Sequence, residues 1–500
     1  MTQREIMVEV TSLDLAKRRS TWLANAAAIA AALLAFATAL ADTGHVLGDS
    51  DMYLHIAAGQ WMLAHLSVPH VDIFSHSMSG ARWIAHEWLA EVASACAYDG
   101  LGWAGPVFIT AACYGLAIAF LARALLRIVD PPIAAAGVVI AWGLTYPHLQ
   151  ARPHVLAYPL LVVWVQALAT ARSFERTPSL WLTVVMVLWA NLHASFMAGL
   201  GLAALCAGEA IFEALDRRAA LVQVRRWSLF LASSFVAACV TPNGLDGLSL
   251  PFRVIGMDYF MSVSSEWKSP NFQQSQPIET ALLLMLFGAW YFGIRLPVTR
   301  IAMLLVLVHL TLVHQRNAEI LGLAGSLLAA PAIARGLGRP REATRLLGAD
   351  PSCFARQRRN TRLLLLAAMI SLCAAVADIH YPIAPKPDSL ITPAKAVAVA
   401  QARRLSGPVL NDPVFGGYLI FSGIAPFVDA RAELYGNGFF ERYDKLGELP
   451  GLLAEYKIGW TLLKANTPRA VLMDFLPGWR RLYAGDIAVI HVRDDDDNSP

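Results

Sequence analysis

Charge is what this 500-residue sequence has least of: Asp, Glu, Lys and Arg together are 15% of the residues, against 56% hydrophobic, and the mean hydropathy is +0.49. Too little polar surface remains to face water on all sides, which excludes an ordinary soluble protein and leaves a polytopic membrane protein. A net charge of +3 and the lack of a basic stripe with interleaved aromatics argue against a nucleic-acid partner. Cysteine is also sparse. Cys96, Cys113, Cys206, Cys239, Cys353 and Cys373 lie mostly in apolar runs, with no CxxC and no paired spacing, so they read as packing residues rather than as a metal ribbon or a disulfide framework. HExxH is missing as well, because His86-Glu87 continues as Trp88-Leu89-Ala90.

Long apolar runs are present instead. Trp22 to Ala41 carries no charge and is long enough to span a hydrocarbon core of about 30 Å. Lys17-Arg18-Arg19 precedes it, but no convincing Ala-x-Ala exit follows, so a retained helix is expected rather than a cleaved signal. Eleven spans are predicted, near 22–41, 103–122, 132–147, 153–171, 179–192, 196–214, 227–241, 279–294, 299–313, 318–334 and 363–379. With this scheme 22 of the 40 basic residues fall on the side of the N-terminus, which makes that side cytoplasmic by the positive-inside rule. None of the thirteen histidines falls in a loop on that side. The expected organisation is a cytoplasmic segment 1–21, a transmembrane domain 22–380 with a first outer loop 42–102, and an extracytoplasmic α/β domain 381–500. In that last domain Val409 to Asp412, Pro426 to Arg431, Trp460 to Leu463 and Ile487 to Val492 read as strands, and residues 494–500 as an acidic frayed end.

The first outer loop opens with Asp49-Ser50-Asp51, two carboxylates just beyond the first span. Residues 51–65 show helical spacing and read as an amphipathic helix in the membrane interface, with Ser50 or Asp51 as its N-cap and with Asp51 and His55 on one face. A second helix, about 83–98, would carry His86-Glu87. Outer ends of later spans add Arg152-Pro153-His154, Asn191-Leu192-His193, Pro242-Asn243-Gly244, Glu266-Trp267 and His314-Gln315-Arg316-Asn317. Any one of these is accounted for by capping or snorkelling, and Asp51 alone by its capping preference. Their gathering at the same end of many spans predicts an outward-opening cavity covered by the first loop.

Such a cavity has no access to cytosolic nucleotide sugars, but it can receive a lipid-linked donor already moved across the bilayer. A polyprenyl phosphate is a stable leaving group, so the site needs a base and a phosphate clamp rather than a general acid. Asp51, or Asp49, can deprotonate the attacking hydroxyl, and Arg152 with Arg316 can hold the departing phosphate.

The first-loop Asp-x-Asp, the stretch Pro69-x-x-Asp72-x-Phe74-Ser75 running to Gly80-x-x-Trp83-x-x-His86-Glu87-Trp88-Leu89, Arg152-Pro153-His154, Trp189-Ala190-Asn191-Leu192-His193 and Pro242-Asn243-Gly244 together resemble bacterial integral-membrane proteins of the GT-C glycosyltransferase superfamily, which includes protein mannosyltransferases, oligosaccharyltransferases and aminoarabinose transferases. The tail from Asn411-Asp412 through Gly416-Gly417-Tyr418-Leu419 to Asp429-x-Arg431-x-x-Leu434-Tyr435-Gly436 resembles the C-terminal domain of such proteins. The resemblance implies a GT-C-like fold of about eleven transmembrane helices and a location in the bacterial inner membrane. It also implies a polyprenyl-phosphate sugar donor, an extracytoplasmic glycan, lipid or protein acceptor, and a catalytic carboxylate in the first loop, Asp51 with Asp49 beside it. His55, His86, Glu87, Arg152, His154, Asn191, His193 and Arg316 are the candidate substrate-binding residues. The acidic motif resembles the one by which oligosaccharyltransferases hold a divalent ion, for which Mg²⁺ or Mn²⁺ are the hard-cation candidates; a zinc site from His55, His86 and His148 or His154 is the alternative. A transporter or flippase, and a non-catalytic envelope assembly protein, are the competing functional classes. The first usually places ionisable groups near the bilayer midplane and often shows repeat symmetry, and neither feature is evident here.

Overall fold

The computed structural model describes residues 3–337, 351–379 and 382–494. Helix α1 (Gln3–Ala41) leads into the first loop, which contains α2 (Asp51–His65) and α3 (Trp88–Leu101). A run of helices follows: α4 (Ala104–Ile128), α5 (Pro131–Thr145), α6 (Pro153–Ser173), α7 (Leu182–Leu192), α8 (Phe196–Phe212), α9 (Arg217–Ala238), α10 (Pro277–Tyr291), α11 (Val298–Val313), α12 (Gln315–Gly336) and α13 (Pro351–Ala377). Each of the eleven apolar runs of the sequence lies largely within one of these helices. Five helical segments are long and apolar enough to cross a membrane: Thr21–Ala41 of α1, α4, α6, α12 and Arg356–Ala377 of α13. Helices α7, α8, α10 and α11 are apolar but shorter. The chain is a multi-pass membrane protein.

Helix α6 sits at the centre of the bundle. Trp164 stacks on Phe230 with ring centroids 5.5 Å apart, meets Trp189 edge-on, and donates its indole N–H to the Gly199 carbonyl at 2.8 Å. The large rings therefore bury their faces without orphaning a donor. Gly199 is required there, because a Cβ would lie 2.6 Å from the Trp189 ring. In α12 a π-helical turn, Leu321–Gly325, places Gly322 against Ala141 and Leu144 of α5, where a Cβ would come within 3.2 Å of both. Such turns in an otherwise α-helical segment often mark functional positions.

The tail holds a four-stranded sheet in the order β1-β2-β4-β3, with β1 (Val409–Asn411) parallel to β2 (Trp460–Lys464) and β4 (Ala488–Arg493) antiparallel to both β2 and β3 (Trp479–Ala484). Three of the four expected strands are present. The stretch Pro426 to Arg431 is a loop instead: the Asn411 side chain bonds the Phe427 and Val428 amides and the Val428 carbonyl, groups a strand ladder would otherwise use. Strand β3 was not foreseen, since its charged Arg480-Arg481 pair hides the alternation. Of the expected acidic end, residues 495–500 lie outside the described residues.

First loop and tail interlock. Between β1 and β2, helix α14 (Gly416–Phe421) packs on α2 so tightly that a Cβ at Gly417 would lie 2.4 Å from the Ser50 carbonyl oxygen. Gly416 and Gly417 both have helical neighbours and no positive φ, so they serve close approach. Tyr53 of α2 bonds Thr392 at 2.8 Å and packs on Tyr418 and Phe421, and the His76 ring reaches the Val409 carbonyl at 2.9 Å.

Candidate functional site

Helix α2 begins at Asp51, with one of the two expected residues as its N-cap. Ser50 occupies the N-cap position without a side-chain cap bond, while Asp49 Oδ1 accepts the Asp51 amide at 2.7 Å. Nor does α2 lie in the interface with a polar face outward: Met52, Tyr53, Leu54, His55 and Ile56 are consecutive buried residues, enclosed by α3 and by α14 of the tail. The expected second helix starts only at Trp88, which leaves His86 and Glu87 in the loop, with Glu87 at its N-cap position.

Arg152 is the N-cap residue of α6. Pro153 at the next position needs no amide donor there and keeps the residue before it extended, with φ −126° and ψ 156° at Arg152. The Arg152 guanidinium sits 3.4 Å from Asp49 and 2.6 Å from Asp51, and in close contact with Glu266. Glu266 in turn lies 3.7 Å from Arg316, whose guanidinium stacks 4.5 Å over Trp267. Three carboxylates thus share Arg152, with Arg316 at the edge. Burial disfavours the Arg152 cation, but Asp49, Asp51 and Glu266 outweigh it and keep the guanidinium charged. Burial would also raise Glu266, yet Arg152 and Arg316 hold it at about 2. Asp51 carries the surplus negative charge: burial first and Asp49 second push it up to about 7, against the pull of Arg152. One guanidinium cannot stabilise three partly buried anions equally, which is why Asp51 remains easy to protonate although it is ion-paired.

A second polar cluster adjoins the first. His55 Nδ1 lies 3.3 Å from Glu91 and its Nε2 3.9 Å from Glu87; Glu87 is also 3.6 Å from both His86 and His193. The His193 ring is 5.8 Å from that of His154, and His154 Nε2 is 3.6 Å from Glu319, which accepts the Tyr158 hydroxyl. Burial pulls the His55 imidazole down, but bonding to Glu91 and the charges of Glu87 and Asp51 raise it overall. Imidazoles and carboxylates therefore alternate from beside Asp51 to the first turns of α6 and α12. Asn191 does not join them: its amide donates to the Val187 and Val240 carbonyls and accepts the Trp88 indole N–H at 2.6 Å, so both of its donors are held by structural bonds. Beside it an apolar cavity of about 590 Å³ is lined by Trp88, Leu89, Val184, Leu188, Val240 and Pro242.

Glu266, Glu91 and Glu319 belong to these clusters without having been assigned a role from sequence. Glu319 had a usable signal, an acid at the start of a predicted span. Glu266 stood in a noted polar stretch, and its link to Arg152 crosses 114 residues of chain. Asp429 and Arg431 form more than a local pair. Arg431 is 2.7 Å from Asp72 and 2.6 Å from Asp429, lies 4.6 Å over Trp83, and is only 4% exposed, so it clamps first loop to tail and is out of reach of a glycan.

The donor set does not fit a divalent cation. Mg²⁺ or Mn²⁺ would need the oxygens of Asp49 and Asp51 free to converge on it, and the Arg152 guanidinium already stands between those two carboxylates and Glu266. The zinc alternative is not assembled either. His55 is engaged by glutamates and His154 by the His148 carbonyl at 2.9 Å, and no group of three His, Cys, Asp or Glu side chains is poised for a metal among the described residues.

No protein-family model matches the sequence, and no curated protein matches it. The fold does have solved counterparts. The crystal structure of the Archaeoglobus fulgidus oligosaccharyltransferase in its apo form is similar over 88% of this chain and 69% of that one, with a TM-score of 0.53 and 11% identity. At that identity the likeness concerns the fold alone: this chain shares the overall fold of that structure.

Proposed function

We propose that this protein transfers a sugar from a polyprenyl-phosphate-linked donor to an extracytoplasmic hydroxyl acceptor, a glycan, a lipid or a protein, with Asp51 as the base. The observation that carries the reading is the partly buried Asp51 carboxylate, poised at about 7 beside Arg152, with Arg316 on the far side of Glu266. A base is most effective with a pKa near the working pH. The acceptor O–H gives its proton to Asp51 as its oxygen bonds to the anomeric carbon. The bond from that carbon to the phosphate oxygen breaks, and the electron pair stays on phosphate, which Arg316 receives by charge-assisted hydrogen bonds. A phosphate arriving at Arg316 also competes for Arg152 and loosens its hold on Asp51, so the base is released when the donor is in place. Asp49 orients Asp51 through its amide. The Glu87 cluster with His55, His86, His193 and His154 supplies hydrogen bonds to the sugar and acceptor, and the apolar cavity beside Trp88 suits an isoprenoid chain. The oligosaccharyltransferase fold likeness supports this reading. On the same reading the N-terminus is cytoplasmic and the tail lies outside, in a bacterial inner membrane.

The test is mass spectrometry of polyprenyl-phosphate sugars and surface glycans in cells lacking the chain, complemented with the native protein or with Asp51→Asn. Donor lipid accumulating and a sugar missing, restored by the native chain and not by a normally expressed Asp51→Asn, is the expected result. Equal restoration by both would remove Asp51 as base.

A further inference from the structure

Helix α6 has a second arginine, Arg172, in its last turn. With 21 residues at about 1.5 Å each, the helix separates Arg152 from Arg172 by roughly 30 Å, a membrane thickness. At the Arg172 end a cavity of about 470 Å³ is lined by Arg172, Arg295, Arg300, Arg335, Glu209 and Glu213, from the ends of α6, α8, α11 and α12 and the segment before α11. Arg172 pairs with Glu209 at 3.0 Å and with Glu213 at 2.7 Å, and Arg300 with Glu209 at 2.6 Å. Both glutamates are thereby taken. Arg295 and Arg335 have no hydrogen-bond or ion-pair partner among the described residues, so four guanidinium groups face two carboxylates.

The decisive group is Arg300. Its residue is only 6% exposed, and its Nη1 is buried without a hydrogen-bond partner. A buried cationic donor left unpaired is costly, and its charge adds to that of the cavity wall. A ligand there must be anionic, because the cavity already carries surplus positive charge, and multidentate, because several guanidinium forks converge there; a phosphate group meets both demands. Phe212 and Val298, chain neighbours of Glu213 and Pro297, are exposed large apolar side chains, as expected where acyl chains flank a headgroup.

We propose that this cavity is a phosphate-binding site at the membrane face opposite Asp51, fitted to the headgroup of an anionic phospholipid. Basic pockets between transmembrane helices are suited to such headgroups. The site is separate from the Asp51 cluster and does not depend on the activity proposed for it.

The experiment is native mass spectrometry of the full chain released from detergent in the presence of phosphatidylglycerol or phosphatidylcholine, with a parallel titration of inorganic phosphate followed by thermal shift. Two variants are compared with the native chain: Arg300→Gln, and Arg295→Gln with Arg335→Gln, which alters only exposed side chains and leaves the buried ion pairs intact. Retention of phosphatidylglycerol over phosphatidylcholine, reduced roughly tenfold in the double variant, is expected and assigns the site to a lipid headgroup. Stabilisation by inorganic phosphate alone, lost in the same variant, assigns it to a free phosphate. Indifference to both, or binding unchanged in a well-folded double variant, overturns the proposal.

Discussion

The two ends of α6 use the same residue type for opposite electrostatic purposes. At Arg152 one guanidinium is shared by Asp49, Asp51 and Glu266, and the surplus is negative. At Arg172 two carboxylates are outnumbered by four guanidinium groups, and the surplus is positive. An acid-rich end raises a carboxylate until it can take a proton near neutral pH; an arginine-rich end leaves guanidinium groups that ask for an anion. An arginine at a helix end therefore says little by itself. The ratio of its neighbours decides between proton chemistry and anion binding.

Exchanging the two arginines in turn is the severest way to break this comparison. Arg152→Gln leaves three carboxylates facing one another without their shared cation, and stripping one partner from a buried ion pair costs about 3–5 kcal/mol. Transfer should be lost and the apparent melting temperature in detergent should fall by many degrees. Arg172→Gln leaves Glu209 still held by Arg300 at 2.6 Å, with Arg295 and Arg335 beside it, so the loss should be nearer 1–2 kcal/mol, the cost of a charge-assisted hydrogen bond. Equal destabilisation by the two substitutions would refute the charge-ratio argument.

Chelation separates the same two ends by chemistry. If Arg152 is the cation of the acidic end, EDTA should leave sugar transfer unchanged within about twofold, whereas Arg152→Gln should abolish it. Transfer lost on chelation and restored by Mn²⁺ would mean that the carboxylates swing away from Arg152 to a metal, and the reading of the acidic end would have to change.

Architecture was legible from composition and runs because hydrophobicity sums over twenty residues and tolerates local error; every apolar run became a helix. Asp49, Asp51, His55 and Arg152 were legible because Asp-x-Asp and Arg-Pro are short-range signals at the ends of such runs. Glu266 was not, because its meaning depends on Arg152 in a distant stretch of chain. Asn191 stands apart from the cluster for the converse reason: a polar residue at a helix end is as readily bonded to neighbouring carbonyls as to a ligand. The packing of Gly417 on Ser50 belongs to a contact between first loop and tail that no local pattern encodes, and the same contact is why α2 is buried instead of lying in the interface.

The smallest effect expected is also the most specific to the acidic end. Asp51 must be ionised to accept a proton, so transfer should rise with pH through about 7 and level off above it. Asp49→Asn removes the neighbouring charge that, after burial, raises Asp51 most, and it frees more of Arg152 for Asp51. Both changes favour the ionised form, so the rising limb should move to lower pH, by about half to one pH unit given about 1.4 kcal/mol per unit. The plateau rate should fall at the same time, because the Asp51 amide loses its bond to Asp49. A merely structural role for Asp49 would lower the plateau and leave the limb where it was. A limb moved to higher pH would contradict Asp49 as the charge that raises Asp51.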